Sequence, residues 1–226
     1  MAGKDKRLSP YGKENVIKIV LMGPANAGKS ELGNCLEEIF NVERQSNESR
    51  NETLKGNPGP IGENSRVGND TKTVVPSSYK PTPGVAFYKF SIRKARSNEN
   101  EQGQELQFIH WELGGQERYH ILWSVWWAGA RGVMVVLDSC KTSDDNYLKE
   151  ARRIIEIIET KIKRPYIICA NKQDLPARML PTELHLRLQL STHPNYLGTY
   201  PLSALTGENV KEVFLRFLSS IELGYL

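Results

Sequence analysis

Apolar and polar positions along the chain follow two alternating rhythms. Short apolar runs read as buried strands: VIKIVLM at 16–22, RGVMVVLD at 131–138, PYIICA at 165–170 and TYPLSA at 199–204. Between them, apolar residues recur at helical spacing. Leu32, Leu36, Ile39 and Phe40 share one face of KSELGNCLEEIF. Leu148, Ala151, Ile154, Ile155, Ile158 and Ile162 share a face of a helix starting near Ser143, where Thr142 and Asp145 have capping-box spacing. Val210, Val213, Phe214, Phe217, Leu218 and Ile221 repeat the pattern near the end. Strands alternating with crossover helices predict an α/β fold in three layers, a mostly parallel sheet covered on both faces. VAFYKFSIRK and ELQFIHWEL break the alternation. Joined by the polar SNENEQGQ, they predict a hairpin.

One stretch lacks either rhythm. From about 42 to 80 the chain is rich in Asn, Ser, Gly, Pro and charge, with few large apolar residues. Such a segment buries too little to offset the entropy of ordering, and it reads as a flexible insertion. Lengthening a loop that much adds only about 1.3 kcal/mol of closure entropy. The expected layout is a polar leader at 1–14, then a single domain over 15–226 carrying that insertion.

Composition narrows the class further. A chain of 226 residues suits one domain, and a formal charge of +4, evenly spread, gives no argument for nucleic acid. Cys35, Cys140 and Cys169 are scattered, with no CxxC, and read as reduced thiols. No apolar run reaches the ~20 residues of a membrane span, and the start has no signal-peptide core. The expectation is a soluble, cytoplasmic protein, at a membrane only through partners.

The chemistry concentrates in three motifs. GPANAGKS at 23–30 joins the first strand to the first helix and fits GxxxxGK[ST]. Gly23 and Gly28 let the backbone curl, so that the N–H groups of Ala25, Asn26 and Ala27 can point at a phosphate chain. The helix N-terminus adds donors and partial positive charge. Lys29 belongs against the β- and γ-phosphates, and the Ser30 hydroxyl is a candidate Mg²⁺ ligand. NKQD at 171–174 follows a buried strand, at the carboxyl end where open α/β sheets bind ligands. Asp174 can accept from the two adjacent donors of a guanine edge, which adenine lacks. Asn171 can brace the base and the phosphate loop, and the stem of Lys172 can cover the base. Ser203, Ala204 and Leu205 follow the next strand, with the Ala204 N–H a candidate donor to the guanine oxygen.

WELGGQER at 111–118 completes the set. In phosphate-loop GTPases an acid beside the loop holds Mg²⁺, a glycine N–H reads the γ-phosphate and a glutamine orients the attacking water. Glu112, Gly115 and Gln116 fit those roles in order. Thr82 in KPTPGVAF can complete the Mg²⁺ shell.

Together the phosphate loop, PTPG, WELGGQ, ANKQDLP and SAL resemble the Arf-like branch of the Ras-superfamily small GTPases. The resemblance implies a six-stranded sheet with five helices, and a GTP/GDP switch with Mg²⁺. It also implies an exchange factor, a GTPase-activating protein and effectors as partners. It places Thr82 in the first switch and Gly115 with Gln116 in the second. Trp111, Trp123 and Trp126 fall where the family keeps aromatics around its effector surface, though core packing explains them, and Trp127, equally well.

Three features depart from the family. Glu112 stands where it carries Asp; an acid acting through water tolerates one extra methylene better than a direct ligand does. Ala2 follows Met1, so the N-myristoyl motif fails, and the leader offers only Leu8 and Tyr11 as sizeable apolar groups. No cysteine near the C-terminus invites prenylation, so no intrinsic anchor is expected. The hairpin loop is enlarged. Besides a slowly hydrolysing switch, a nucleotide-bound scaffold without turnover fits these residues. An ATP-using kinase fits poorly, since neither a lid nor a second substrate site is visible.

Overall fold

The computed structural model describes residues 16–53, 85–93, 105–113 and 126–222, with side chains excepted at 16, 42–53, 87, 93, 105–113 and 222. Thr82, Gly115, Gln116, Trp123, the leader and the hairpin loop lie outside the described residues.

The elements run β1 (Val16–Met22), α1 (Lys29–Thr53), β2 (Val85–Arg93), β3 (Glu105–Leu113), β4 (Gly132–Asp138), α2 (Asp145–Ile157), β5 (Tyr166–Asn171), α3 (Pro181–Arg187), β6 (Tyr196–Pro201) and α4 (Val210–Glu222). Six strands form one sheet in the order β2-β3-β1-β4-β5-β6. Only the β2–β3 hairpin is antiparallel, with Val85 opposite Leu113 and Arg93 opposite Glu105. From β1 the chain first builds one side of the sheet, through β2 and β3, and then the other, through β4, β5 and β6. The loop after β1 therefore stands at the switch point where such sheets open a crevice.

Period-two alternation sorts the central strands between two cores. Val20, Met22, Val133, Val135, Leu137 and Ile168 face Leu148, Ala151, Ile154 and Ile155 of α2 and Leu184 of α3. Ile19, Leu21, Met134, Val136, Ile167 and Cys169 face Leu32, Leu36 and Phe40 of α1 and Phe214 and Phe217 of α4. Phe40, Phe90 and Phe214 tie α1, β2 and α4 together, with centroids 4.9 Å apart for Phe40–Phe90 and 5.4 Å for the other two pairs. All seven residues of β4 are buried, as its uninterrupted apolar run predicts.

Several boundaries differ from the sequence pattern, each for a physical reason. α1 continues past Val42 to Thr53, so the proposed insertion begins with helix. That stretch, VERQSNESRNET, contains no Gly or Pro, and its Glu, Arg and Gln favour helix. α2 is capped by Asp144, whose side chain accepts from the Asn146 N–H. Thr142 does not cap it: its hydroxyl donates to the Ser139 carbonyl at 2.8 Å. After α2 the helix widens into a π-turn over Ile158–Ile162 and stops at Lys163, in the left-handed conformation with φ 52°. β6 starts at Tyr196 rather than Thr199. Trp126 and Trp127 are half-buried against the first core, which supports packing for these two.

Candidate functional site

The loop from Gly23 to Gly28 is shaped by backbone more than by side chains. Gly23 has φ +151° and Gly28 φ +90°; a Cβ on Gly23 would collide with the Val136 carbonyl, and one on Gly28 with the Asn171 amide. Asn26, at φ 63°, is one of the few side chains that tolerate the left-handed region. The loop then enters α1, so its N–H groups and the helix N-terminus converge. Lys29 is 5% exposed and arches back over the loop. Its Nζ donates to the Gly23 carbonyl at 3.1 Å and the Pro24 carbonyl at 2.8 Å. Ser30 follows it, half-buried, in the first turn of α1.

The opposite wall comes from the ends of β5 and β6. Asn171 is 2% exposed and bridges three segments: its Nδ2 donates to the Ala27 carbonyl and its Oδ1 accepts from the Ala204 N–H, both at 2.9 Å. The bracing expected of Asn171 toward the phosphate loop is thus present. The Ala204 N–H, a candidate donor to guanine, here donates to Asn171 Oδ1, which reaches it from the neighbouring strand end. Asp174 Oδ1 accepts from the Ser203 hydroxyl at 2.6 Å, which fixes the carboxylate's direction. Ser203 Oγ in turn accepts from the Thr206 N–H at 3.2 Å.

Lys172 is held from beneath. Its Nζ lies 2.7 Å from Asp138 Oδ2, while Asp138 Oδ1 accepts from the Cys140 N–H at 3.0 Å. Gln173 Nε2 donates to Ser139 Oγ at 2.8 Å and to the Met179 carbonyl at 3.3 Å. Burial, and then the nearby charge of Asp138, pushes the Cys140 thiol above its ordinary pKa. Sequence reasoning missed Asp138, Ser139 and Gln173. The available signal was an acid closing an otherwise apolar strand run, one strand away from the phosphate loop.

These parts enclose a cavity of about 450 Å³, within the range of small-molecule sites. Asn26, Gly28, Asn171, Lys172, Asp174 and Ala204 all line it. Leu205, also expected there, lines it while remaining exposed. Lys141 and Glu31 line it too, and neither was expected. The cavity thus lies at the carboxyl ends of parallel strands, with backbone donors on one side and an oriented carboxylate on the other. That arrangement can hold an anion chain attached to a base with adjacent donors.

Glu112 lies in β3, opposite Leu21 on β1 and Ala86 on β2, which brings its backbone beside the strand leading into the loop. Among the described residues no group of three or more His, Cys, Asp or Glu could form a metal cage. A Mg²⁺ ion bound through a hydroxyl, phosphate oxygens and water needs none, and hydroxyl and carboxylate oxygens suit that hard ion. Among the described residues, too, no helix is long and apolar enough to cross a membrane.

The sequence profile of the ADP-ribosylation factor family (Arf) matches residues 79–221. ADP-ribosylation factor-like protein 5 of Caenorhabditis elegans is 35% identical over 113 residues, which span 50% of this chain and 57% of that protein. Human ADP-ribosylation factor-related protein 1 is 31% identical over 150 residues, 63% of this chain and 71% of that protein. ADP-ribosylation factor-like protein alp41 of Schizosaccharomyces pombe is 25% identical over 94% of this chain and 91% of its own. Among solved structures, the Arl6 BBS3 small GTPase from Trypanosoma brucei, with the nucleotide analogue GppNp bound, superposes with a TM-score of 0.59 at 17% identity. That alignment covers 92% of this chain and 98% of the other. The chain belongs to the ADP-ribosylation factor family and has the phosphate-loop small-GTPase fold.

Proposed function

We propose that this member of the family is a GTP-binding switch that hydrolyses GTP slowly, with Mg²⁺, and cycles between GTP and GDP states. The observation that carries the reading is the cavity joining Asp174, oriented by Ser203, to the loop that Asn171 pins at Ala27. In this reading Asp174 accepts from the guanine edge and Lys172, tethered to Asp138, lays its stem along the base. Lys29 turns from the loop carbonyls toward the β- and γ-phosphates, with the loop N–H groups donating beside it. Bound Mg²⁺ would neutralise developing phosphate charge; Ser30 and Thr82 would hold it directly and Glu112 through water. Gln116 orients the attacking water, and the Gly115 N–H donates to the γ-phosphate.

An exchange factor, a GTPase-activating protein and effectors are the partners this reading requires. An arginine supplied by the activating protein would accelerate hydrolysis by roughly 10³–10⁵. Nucleic acid has no part in this reading.

A non-hydrolysing scaffold is the second reading, favoured by Glu112 standing where the family carries Asp. Turnover by the purified chain, beside Gln116→Leu, separates the two, with bound nucleotide extracted from the same preparation. Slow Mg²⁺-dependent hydrolysis lost in the variant is the expected result. Tightly bound guanine nucleotide with no turnover in either protein, even with an activating protein added, establishes the scaffold. Recovery of adenine nucleotide overturns both.

A further inference from the structure

The cavity carries a second carboxylate that guanine recognition does not use. Glu31 is the third residue of α1, is exposed, and lines the cavity together with Gly28 and Asn26. Its Oε2 lies 3.8 Å from the position a Cβ on Gly28 would occupy, so the charge sits over the phosphate loop. Asp174 faces the cavity from the opposite wall, with its orientation set by Ser203.

An acid in a first helical turn ordinarily serves the helix dipole. Here that turn is also the proposed seat of the phosphates, and both anions draw on one N-terminal field. Of the cations nearby, Lys29 is the one assigned above to the β- and γ-phosphates, and Lys172 is paired with Asp138. Lys141 is the remaining lysine among the residues lining the cavity. A carboxylate over the loop therefore raises the free energy of any phosphate beside it.

We infer that Glu31 sets nucleotide affinity: its carboxylate opposes the bound phosphates and holds GDP more loosely than the loop and base pocket alone would. The inference rests on the guanine-nucleotide reading above. It makes this a switch whose nucleotide leaves readily, with a single side chain responsible for the shortened lifetime.

Glu31→Gln removes the charge and keeps the shape. Using the full chain with Mg²⁺, affinity and release rate would be measured for GDP, and affinity for guanosine, at low and high salt. The expected result is GDP bound about tenfold tighter by the variant at low salt, with release slowed to match and guanosine affinity unchanged. The gain shrinks at high salt, because the repulsion is screened. Equal or weaker GDP binding by the variant overturns the inference, and so does an equal gain for guanosine, which would place the effect in the fold. Failure of both proteins to bind either ligand overturns the guanine reading itself, and the inference with it.

Discussion

The two sides of the cavity are built from different materials. The wall after β5 and β6 is a side-chain network: Lys172 on Asp138, Gln173 on Ser139, Asp174 on Ser203, Asn171 on Ala27 and Ala204. The loop after β1 is held mainly by backbone conformation, with Gly23 and Gly28 at positive φ and Lys29 reaching back to its carbonyls. A wall of side chains chooses its ligand by chemistry, so one substitution can redirect it. A wall of N–H groups makes its contacts without side chains. It fails when the backbone cannot adopt the turn.

The largest effect expected from this contrast is a switch of base. Asp174→Asn exchanges an acceptor for a group that also donates, which suits a base carrying a carbonyl where guanine carries its amino group. GDP affinity should fall by roughly 10⁴, and affinity for xanthosine diphosphate should rise. Competition between the two nucleotides reads both at once. If both fall together, Asp174 supports the fold and does not choose the base.

Legibility in the sequence follows the same division. β1, the loop, the start of α1, β4, β5 and α4 announce themselves, because burial on both faces of a sheet and one face of a helix imposes a period. The base wall was legible only in its motif residues. Asp138 and Lys172 are 34 positions apart, and no local pattern joins them. α3 is not announced by any period because it is a short helix of about two turns whose buried residue is Leu184 alone. β6 was placed late because it is a half-exposed edge strand, with Gly198 at φ +152° and a register shift opposite Tyr166 and Ile167. The second switch, with Gly115 and Gln116, lies outside the described residues and stays a reading of the motif.

On the backbone side, Gly28→Ala is the sharpest probe. Its φ of +90° strains any side chain, and the new Cβ would meet the Asn171 amide. Strain of this kind costs about 3 kcal/mol, so nucleotide affinity should drop by roughly a hundredfold for GDP and xanthosine diphosphate alike. Calorimetric titration with both ligands checks it. A loss confined to one base would contradict the backbone argument.

Asn171→Ala tests the joint between the walls. It strands the Ala27 carbonyl and the Ala204 N–H in a buried setting, at about 2 kcal/mol of stability. Chemical denaturation without nucleotide should show that loss directly. Added GDP should restore less stability than in the wild type, since the loop is no longer pinned.

The smallest effect belongs to Asp138→Asn. Asp138 is 3% exposed at its side chain while Lys172 is 32% exposed, so the ammonium can turn to water once the charge is gone. The amide can still accept from the Cys140 N–H, leaving the turn after β4 in place. What goes is the ion pair that tethers the Lys172 ammonium beside the cavity, and for a half-solvated pair that is worth about 1 kcal/mol. GDP should therefore bind roughly fivefold more weakly, with guanosine affected to the same degree, because the proposed role of the stem is to cover the base and not the phosphates. A loss seen with GDP but absent with guanosine would move Lys172 to the phosphate side and remove the division between the two walls.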